Sequence, residues 1–314
     1  MKIAFIFPGQ GSQHPGMGRQ LFEDFAAARS VFEEADSALG FPLSKLCFEG
    51  PAGELQQTAN TQPAILAVSV AAAEVLREKG VRPDFVAGHS LGEYSALVAA
   101  RSMRLSDAVR LVRKRGEYMQ EAVPLGVGAM AALLGAEAEL VEEAVCREAA
   151  EGEVCSPANL NSPAQVVIAG HSGAVHRAVD IARKHGVRRA VMLNVSAPFH
   201  CSLMQPAADR LAADLERVEI RDPEVPLVNN VEAKVARTAD EVRDGLRRQV
   251  TAPVLWEASV RKLLAGGVNL FIEAGPGSVL SGLVRQTDHA AECHRVEDHA
   301  SLNKILARMG AGER

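Results

Sequence analysis

Short apolar runs of strand length alternate along this chain with longer stretches in which apolar positions recur every three to four residues. Residues 3–7 form the first run, closed at once by Pro8-Gly9, and residues 85–87 form the second, running into Gly88. Helical periodicity fills 21–39, 63–79, 91–100 and 106–122, with Ser106 as the expected N-cap of the last. Strands alternating with helices in this way predict an α/β fold with a mostly parallel sheet.

Near residue 125 the order changes. Strand patterns over 127–134, 154–159, 165–169 and 187–195 enclose helical patterns over 137–150 and 172–185, with a turn expected around Asn161-Ser162-Pro163. The order β-α-β-β-α-β is that of a split βαβ, or ferredoxin-like, unit. Residues 125–199 are therefore expected to be a small inserted domain. The larger domain, 1–124 and 200–314, then resumes with helices at 203–217, 239–249 and 255–264 and strands at 225–229 and 270–273. Gly275-Pro276-Gly277 precedes a further helix, and 294–296 and 301–308 close the chain.

Charge and composition narrow the function. A formal net charge of -5 argues against a nucleic-acid binder. The longest apolar run, 64–73, is too short for a bilayer and is followed by Glu74 and Arg77, so no membrane association is expected. The apolar N-terminus reads as a buried strand rather than a signal peptide. Five scattered cysteines without a C-x-x-C pair indicate neither a disulfide framework nor a zinc site, and a reducing cytoplasm is expected. A monomer is compatible with the sequence, which does not fix the oligomeric state.

Gly88-His89-Ser90-Leu91-Gly92 has the G-x-S-x-G spacing of a nucleophile elbow. Serine in a sharp strand-to-helix turn is strained and exposed, and the glycines two positions away allow the close approach the turn needs. The following helix aims free N–H groups at the site, where an oxyanion would develop. A bare motif of this kind arises by chance in many proteins; here a strand pattern precedes it and a helix pattern follows.

A serine nucleophile needs a base. Of nine histidines, His200 stands out because it follows Ser196-Ala197-Pro198-Phe199, where the small domain hands back to the large one, and domain junctions favour clefts. Capping of the next helix is an equal reading from position alone. No acid is singled out to complete a triad, which leaves a histidine oriented by a backbone carbonyl open. The glycine-rich loop 8–18 fits neither a dinucleotide fingerprint nor a phosphate loop, and could bring a backbone N–H to a reacting carbonyl or be a plain turn. By charge alone, Arg113-Lys114-Arg115 reads as a solvated helix face.

Taken together, several segments in order resemble the malonyl-CoA:acyl carrier protein transacylases over nearly the whole chain. They are Phe7-Pro8-Gly9-Gln10-Gly11-Ser12-Gln13, Asn60-Thr61-Gln62-Pro63-Ala64, the elbow with Glu93-Tyr94, and Arg115-Gly116 ahead of Met119-Gln120. Pro198-Phe199-His200, 249–256 and Glu273-Ala274-Gly275-Pro276-Gly277 complete the set. The resemblance implies an α/β-hydrolase-like core carrying a ferredoxin-like insert. It implies Ser90 as the acylated nucleophile, His200 as its base, and the backbone N–H groups of Gln10 and Leu91 as the oxyanion hole. Gln249 would orient the histidine through its carbonyl. Arg115 would grip the free carboxylate of malonyl, which a guanidinium can hold with two parallel hydrogen bonds. Phe199 is similar to the bulky residue found where malonyl is preferred over branched acyl groups. No cofactor is expected beyond the coenzyme A thioester used as substrate. The expected partners are malonyl-CoA and acyl carrier protein, in fatty acid or polyketide synthesis. Carrier proteins of such systems are acidic, so Arg183-Lys184, Arg188-Arg189 and Arg247-Arg248 are candidate docking residues, and each pair also reads as solvated surface. Two rivals stand beside this: a thioesterase using the same elbow, and a non-catalytic carrier-docking module.

Overall fold

The computed structural model describes residues 1–150, 152–195 and 197–310. Ten strands carry the sheets among them: β1 (Lys2–Phe7), β2 (Phe85–Gly88), β3 (Gly128–Leu134), β4 (Cys155–Ser162), β5 (Gln165–His171), β6 (Arg189–Met192), β7 (Leu227–Val228), β8 (Val235–Ala236), β9 (Val268–Ala274) and β10 (Glu292–Val296). The larger sheet has the order β10-β9-β1-β2-β7-β8. It is parallel except for the β7–β8 pair. The fold is thus α/β, with helices on both faces of a mixed sheet.

β1 shows why this sheet sits at the centre. A parallel strand covered on both faces must be apolar at successive positions. Ile3, Phe5 and Phe7 pack into one core with the helices Ala26–Leu39, Thr58–Glu78 and Leu91–Ala99. Ala4 and Ile6 face the opposite core, among Trp256, Val260 and Leu283.

A smaller antiparallel sheet, β4-β5-β3-β6, holds its own core of Ala131, Leu133, Ile168 and Val175. It is tied to the rest where the backbone of Val254 bonds on either side of Asn159. Leu160 N–H donates to Val254 O, and Val254 N–H to Ala158 O, each at 2.9 Å.

Several elements differ from the sequence expectation. The stretch 21–39 is two helices, Arg19–Asp24 and Ala26–Leu39, because Phe25 is extended (φ -127°) with its side chain buried. The next long helix starts earlier, at Thr58, and takes Pro63 inside it. Ala59 N–H donates to Gln120 Oε1 at 2.8 Å and the Thr61 hydroxyl to Leu55 O, holding that extra turn. This helix, Thr58–Glu78, is long and apolar enough to cross a bilayer, and it is the core helix of the fold, largely buried. Ser106 is not an N-cap: the helix Leu105–Glu121 starts behind Arg104, and Ser106 N–H donates to Glu34.

The helix over 137–150 contains a π-helical segment, Val141–Cys146. β4 runs through Ser162, which pairs with Gln165, so the turn is confined to Pro163 and Ala164. β6 is shorter than 187–195: it is an edge strand, and after a last bond from Leu193 N–H to Met130 O the chain leaves the ladder. β8 was not expected from the sequence; the Asn229 side chain accepts N–H groups from Glu232 and Lys234 and shapes the turn before it. Ser196 lies outside the described residues.

Candidate active site

β2 ends at Gly88 and the helix Leu91–Ala99 begins after two intervening residues. Between them Ser90 has φ 52° and ψ -105°, a conformation costly for any residue with a Cβ. Neighbours hold it there. Ser90 N–H donates to Asn230 Oδ1 at 2.7 Å, and Asn230 Nδ2 donates to Gly88 O at 2.7 Å, so one side chain clasps both sides of the elbow. The glycines are required by contact: a Cβ on Gly88 would meet the Gly92 backbone, and one on Gly92 would meet the Phe7 carbonyl. Gly9 lies equally close, since its Cβ would stand 2.6 Å from His89 O. The glycine-rich loop is therefore packed on the elbow rather than free above it.

His200 enters from the corner after Pro198, with φ 61°. Its Nε2 is 2.7 Å from Ser90 Oγ, and its Nδ1 is 2.9 Å from the backbone carbonyl of Gln249. That carbonyl stands where a triad acid would, so Nδ1 carries the proton and Nε2 is free to accept one from the serine. Burial, and then the charge of Arg115, push the imidazole down to about 3, which keeps it neutral at physiological pH. His89 turns away from Ser90, with Nε2 2.8 Å from Asn161 Oδ1. The other histidines stand elsewhere; His176 and His185 are exposed.

Arg115 departs from the reading its charged neighbours suggest. Arg113 pairs with Glu117 and Lys114 with Asp214 on the outer face of the helix. Arg115 is 1% exposed and points inward. One terminal nitrogen donates to Gln62 Oε1 at 2.9 Å. The other donates to Ser90 Oγ and to Gln249 Oε1, both at 3.0 Å. Its Nε has no partner among the described residues, and the Tyr94 ring lies 5.5 Å from the guanidinium. A buried guanidinium held only by neutral acceptors, with donor capacity left over, suits an incoming carboxylate.

Ser90, His200 and Arg115 line one cavity of about 110 Å³, together with Gln10, Leu91 and Phe199. The apolar wall is made by Phe199, Met119, Met130, Leu193 and Val195. A second cavity, about 290 Å³, adjoins it through Gln10, His89, Asn159 and Leu193 and reaches the exposed Val279. The inner space is small and the approach larger, as a short acyl group on a long arm would need. A larger cavity of about 700 Å³ lies apart, beside Glu34, Arg101 and Arg221, and contains neither Ser90 nor His200. Leu91 N–H is the first of its helix, and neither it nor Gln10 N–H has an acceptor among the described residues.

Four residues at this site were given no role by sequence reasoning: Gln62, Glu93, Asn159 and Asn230. Glu93 carried the plainest signal, a carboxylate inside the apolar stretch 91–100, every residue of which is buried. Gln62 required the extra helical turn before Pro63. The docking candidates divide. Arg247 pairs with Glu216, Arg248 with Asp244 and Glu232, and Arg183 with Asp180. Lys184, Arg188 and Arg189 are exposed and enter no ion pair among the described residues.

Residues 4–308 match the family described as "Acyl transferase domain". A malonyl CoA-acyl carrier protein transacylase of Bacillus subtilis (strain 168) is 50% identical over 308 residues, covering 98% of this chain and 97% of that one. A structure of the corresponding Coxiella burnetii transacylase superposes with a TM-score of 0.96 at 42% identity, covering 98% of each chain. A malonyl-transacylase solved in complex with a type II PKS acyl-carrier protein superposes with a TM-score of 0.95 at 46% identity, covering 98% of this chain and all of that one.

Proposed function

The chain belongs to the acyltransferase family of the malonyl CoA-acyl carrier protein transacylases, and on that premise we propose that Ser90 carries the malonyl group between coenzyme A and the carrier in a ping-pong exchange. The overall reaction is malonyl transfer from malonyl-CoA to the carrier's phosphopantetheine thiol, in fatty acid or polyketide synthesis. The observation that carries the proposed route is one unbroken chain of hydrogen bonds, Gln249 carbonyl, His200, Ser90 Oγ, Arg115, whose last three members line a single cavity.

In the first half, the malonyl carboxylate takes the guanidinium of Arg115, which releases Ser90 Oγ. His200 Nε2 accepts the serine proton as Oγ attacks the thioester carbonyl. The N–H groups of Gln10 and Leu91 receive the oxyanion. Collapse expels coenzyme A as its thiolate, and His200 returns the proton to that sulfur. The carrier's thiol then runs the same steps in reverse, restoring free Ser90. Phe199, with Met119 and Met130, walls the space beside the malonyl methylene and limits branching.

The finer architecture fits this reading. The order β4-β5-β3-β6 with two helices supports a ferredoxin-like insert at 125–199, and the parallel sheet with its elbow supports a hydrolase-like core from 1–124 and 200–314. Five free cysteines suit a reducing cytoplasm. Electrostatic steering of an acidic carrier would fall chiefly to Lys184, Arg188 and Arg189, which enter no ion pair among the described residues.

The test is intact-protein mass after brief exposure to malonyl-CoA, followed by peptide mapping. A malonyl adduct on Ser90, discharged by carrier protein, is the expected result. No adduct on Ser90 removes the covalent route, and faster release of free malonate than of malonyl-carrier identifies a thioesterase instead.

A further inference from the structure

Arg115 is buried without a carboxylate in contact, which a cation in a low-dielectric site does not tolerate unless a counter-charge lies nearby. Glu93, also 1% exposed, is that charge. The two are joined by one amide. Gln249 Oε1 accepts from Arg115 at 3.0 Å while Gln249 Nε2 donates to Glu93 Oε2 at 2.8 Å. The same carboxylate oxygen accepts Asn230 N–H at 3.1 Å.

Through these contacts Glu93 reaches every working part. Asn230 clasps the elbow at Ser90 and Gly88, and Gln249 also donates to Ser90 O at 3.0 Å while its carbonyl orients His200. We propose that Glu93 is a positioning residue for the transfer, the buried counter-charge of Arg115 acting through the Gln249 side chain, and that it takes up a proton when the malonyl carboxylate arrives.

The second half follows from charge. Arg115 is one cation, and malonyl brings a second carboxylate to it; two anions beside one cation in a dry pocket force one of them to protonate. Malonyl has the direct contact, so the proton from solvent goes to Glu93, whose partners are a neutral amide and a backbone N–H. Burial already pushes the free Glu93 carboxyl up to about 7, against the hydrogen bonds from Gln249 and Asn230 and the charge of Arg115. The titratable groups facing this network are Arg115 from the helix Leu105–Glu121, Tyr94 beside Glu93, His200, and His89 on the elbow. From the helix Ala239–Gln249, Arg247 and Arg248 turn outward to Glu216, Glu232 and Asp244. Among the described residues the rival acceptors of the proton are the two imidazoles, His200 in the network and His89 on the wall of the same cavity.

This inference rests on reading Arg115 as the malonyl carboxylate site, and the experiment separates the two. Ser90→Ala protein, which cannot be acylated on the serine, is titrated calorimetrically with malonyl-CoA in buffers of different ionisation enthalpy across pH 5.5–8.5. Acetyl-CoA is the control for the coenzyme's own phosphates. Above pH 7, uptake of about one proton per malonyl-CoA is expected, with affinity weakening about tenfold per pH unit, and neither effect with acetyl-CoA. In Ser90→Ala/Glu93→Gln both effects should vanish.

No uptake in Ser90→Ala, or equal uptake in the double variant, overturns the role of Glu93; equal uptake assigns the proton to an imidazole of the cavity, His200 or His89. If the double variant does not fold, the pH dependence of Ser90→Ala decides. Uptake that fades towards pH 5.5 supports Glu93, and uptake that grows there overturns it. Failure of the underlying reading looks different: malonyl-CoA and acetyl-CoA would then bind Ser90→Ala equally at every pH.

Discussion

Replacing Arg115 by alanine should separate recognition of malonyl from the chemistry of transfer. In the free protein the guanidinium makes three hydrogen bonds, all to neutral acceptors, so binding malonyl exchanges these for charge-assisted contacts roughly twice as strong. Loss of a buried carboxylate–guanidinium pair costs about 2–5 kcal/mol. That corresponds to a fall in kcat/KM for malonyl-CoA of about 30- to 5,000-fold. Acetyl-CoA has no carboxylate to lose. Its transfer should also gain, because Arg115 is the second cause, after burial, of the low basicity of His200. Without that cation the imidazole titrates at higher pH and is a stronger base, so the acid limb of the acetyl pH–rate profile should move upward. The assay is single-turnover acylation of Ser90 by each thioester, read by intact mass across pH 4–8. Arg115→Lys should recover only part of the malonyl rate, since an ammonium retains the charge but not the two-pronged geometry. Equal losses for malonyl and acetyl would refute the reasoning, as would an unmoved acid limb.

Other perturbations probe the framework. Gln249→Ala keeps the carbonyl that orients His200 but strips the amide from Arg115, Glu93 and Ser90 O. Stranding such buried groups costs about 1–3 kcal/mol, so malonyl kcat/KM should fall roughly 5- to 150-fold, with acetyl transfer less affected. Gly92→Ala drives a Cβ into the Phe7 carbonyl and should abolish the cooperative thermal transition seen by circular dichroism; a variant melting like the parent would contradict the packed elbow. Glu93→Gln should change how stability depends on pH. The folded carboxyl, near 7, holds its proton above the usual 4.5, so its contribution is full below 4.5 and is lost as pH rises through 7. Tm of the parent should therefore decline over that interval more steeply than Tm of the variant, and parallel curves from differential scanning calorimetry would exclude the raised carboxyl.

Much of the site was legible because its chemistry is local in sequence. The elbow announces itself within five residues, and the structure adds only which atoms make the glycines necessary. His200 was harder, since position supplied a domain junction but no partner. Its tie to Gln249 spans 49 residues, and a backbone carbonyl leaves no mark in sequence. Arg115 was hidden by Arg113 and Lys114, yet the helix held the answer. Ala108, Val112, Arg115, Gly116 and Met119 are all buried and fall on one stripe at three- to four-residue spacing, whereas Arg113 and Lys114 do not. A charge on the apolar stripe is the informative case. Asn230 gave no signal at all, because its role depends on contacts made 140 residues away. The errors in strand length at the edge strand β6 and at β7, which is held between β2 and β8 by two residues on each side, arose because pairing rather than residue preference decides the ends.

The reaction space has two owners. Met119 belongs to the large-sheet half of the molecule and Met130 to the small sheet, and the gap between them lies where Val254, bonded to Ala158 and Leu160, helps stitch the halves together. The width available to an acyl chain is thus a property of the seam. Loosening that stitch would broaden the range of groups accepted while leaving the serine and its base untouched, which makes the joint, rather than the reactive centre, the place from which selectivity can drift.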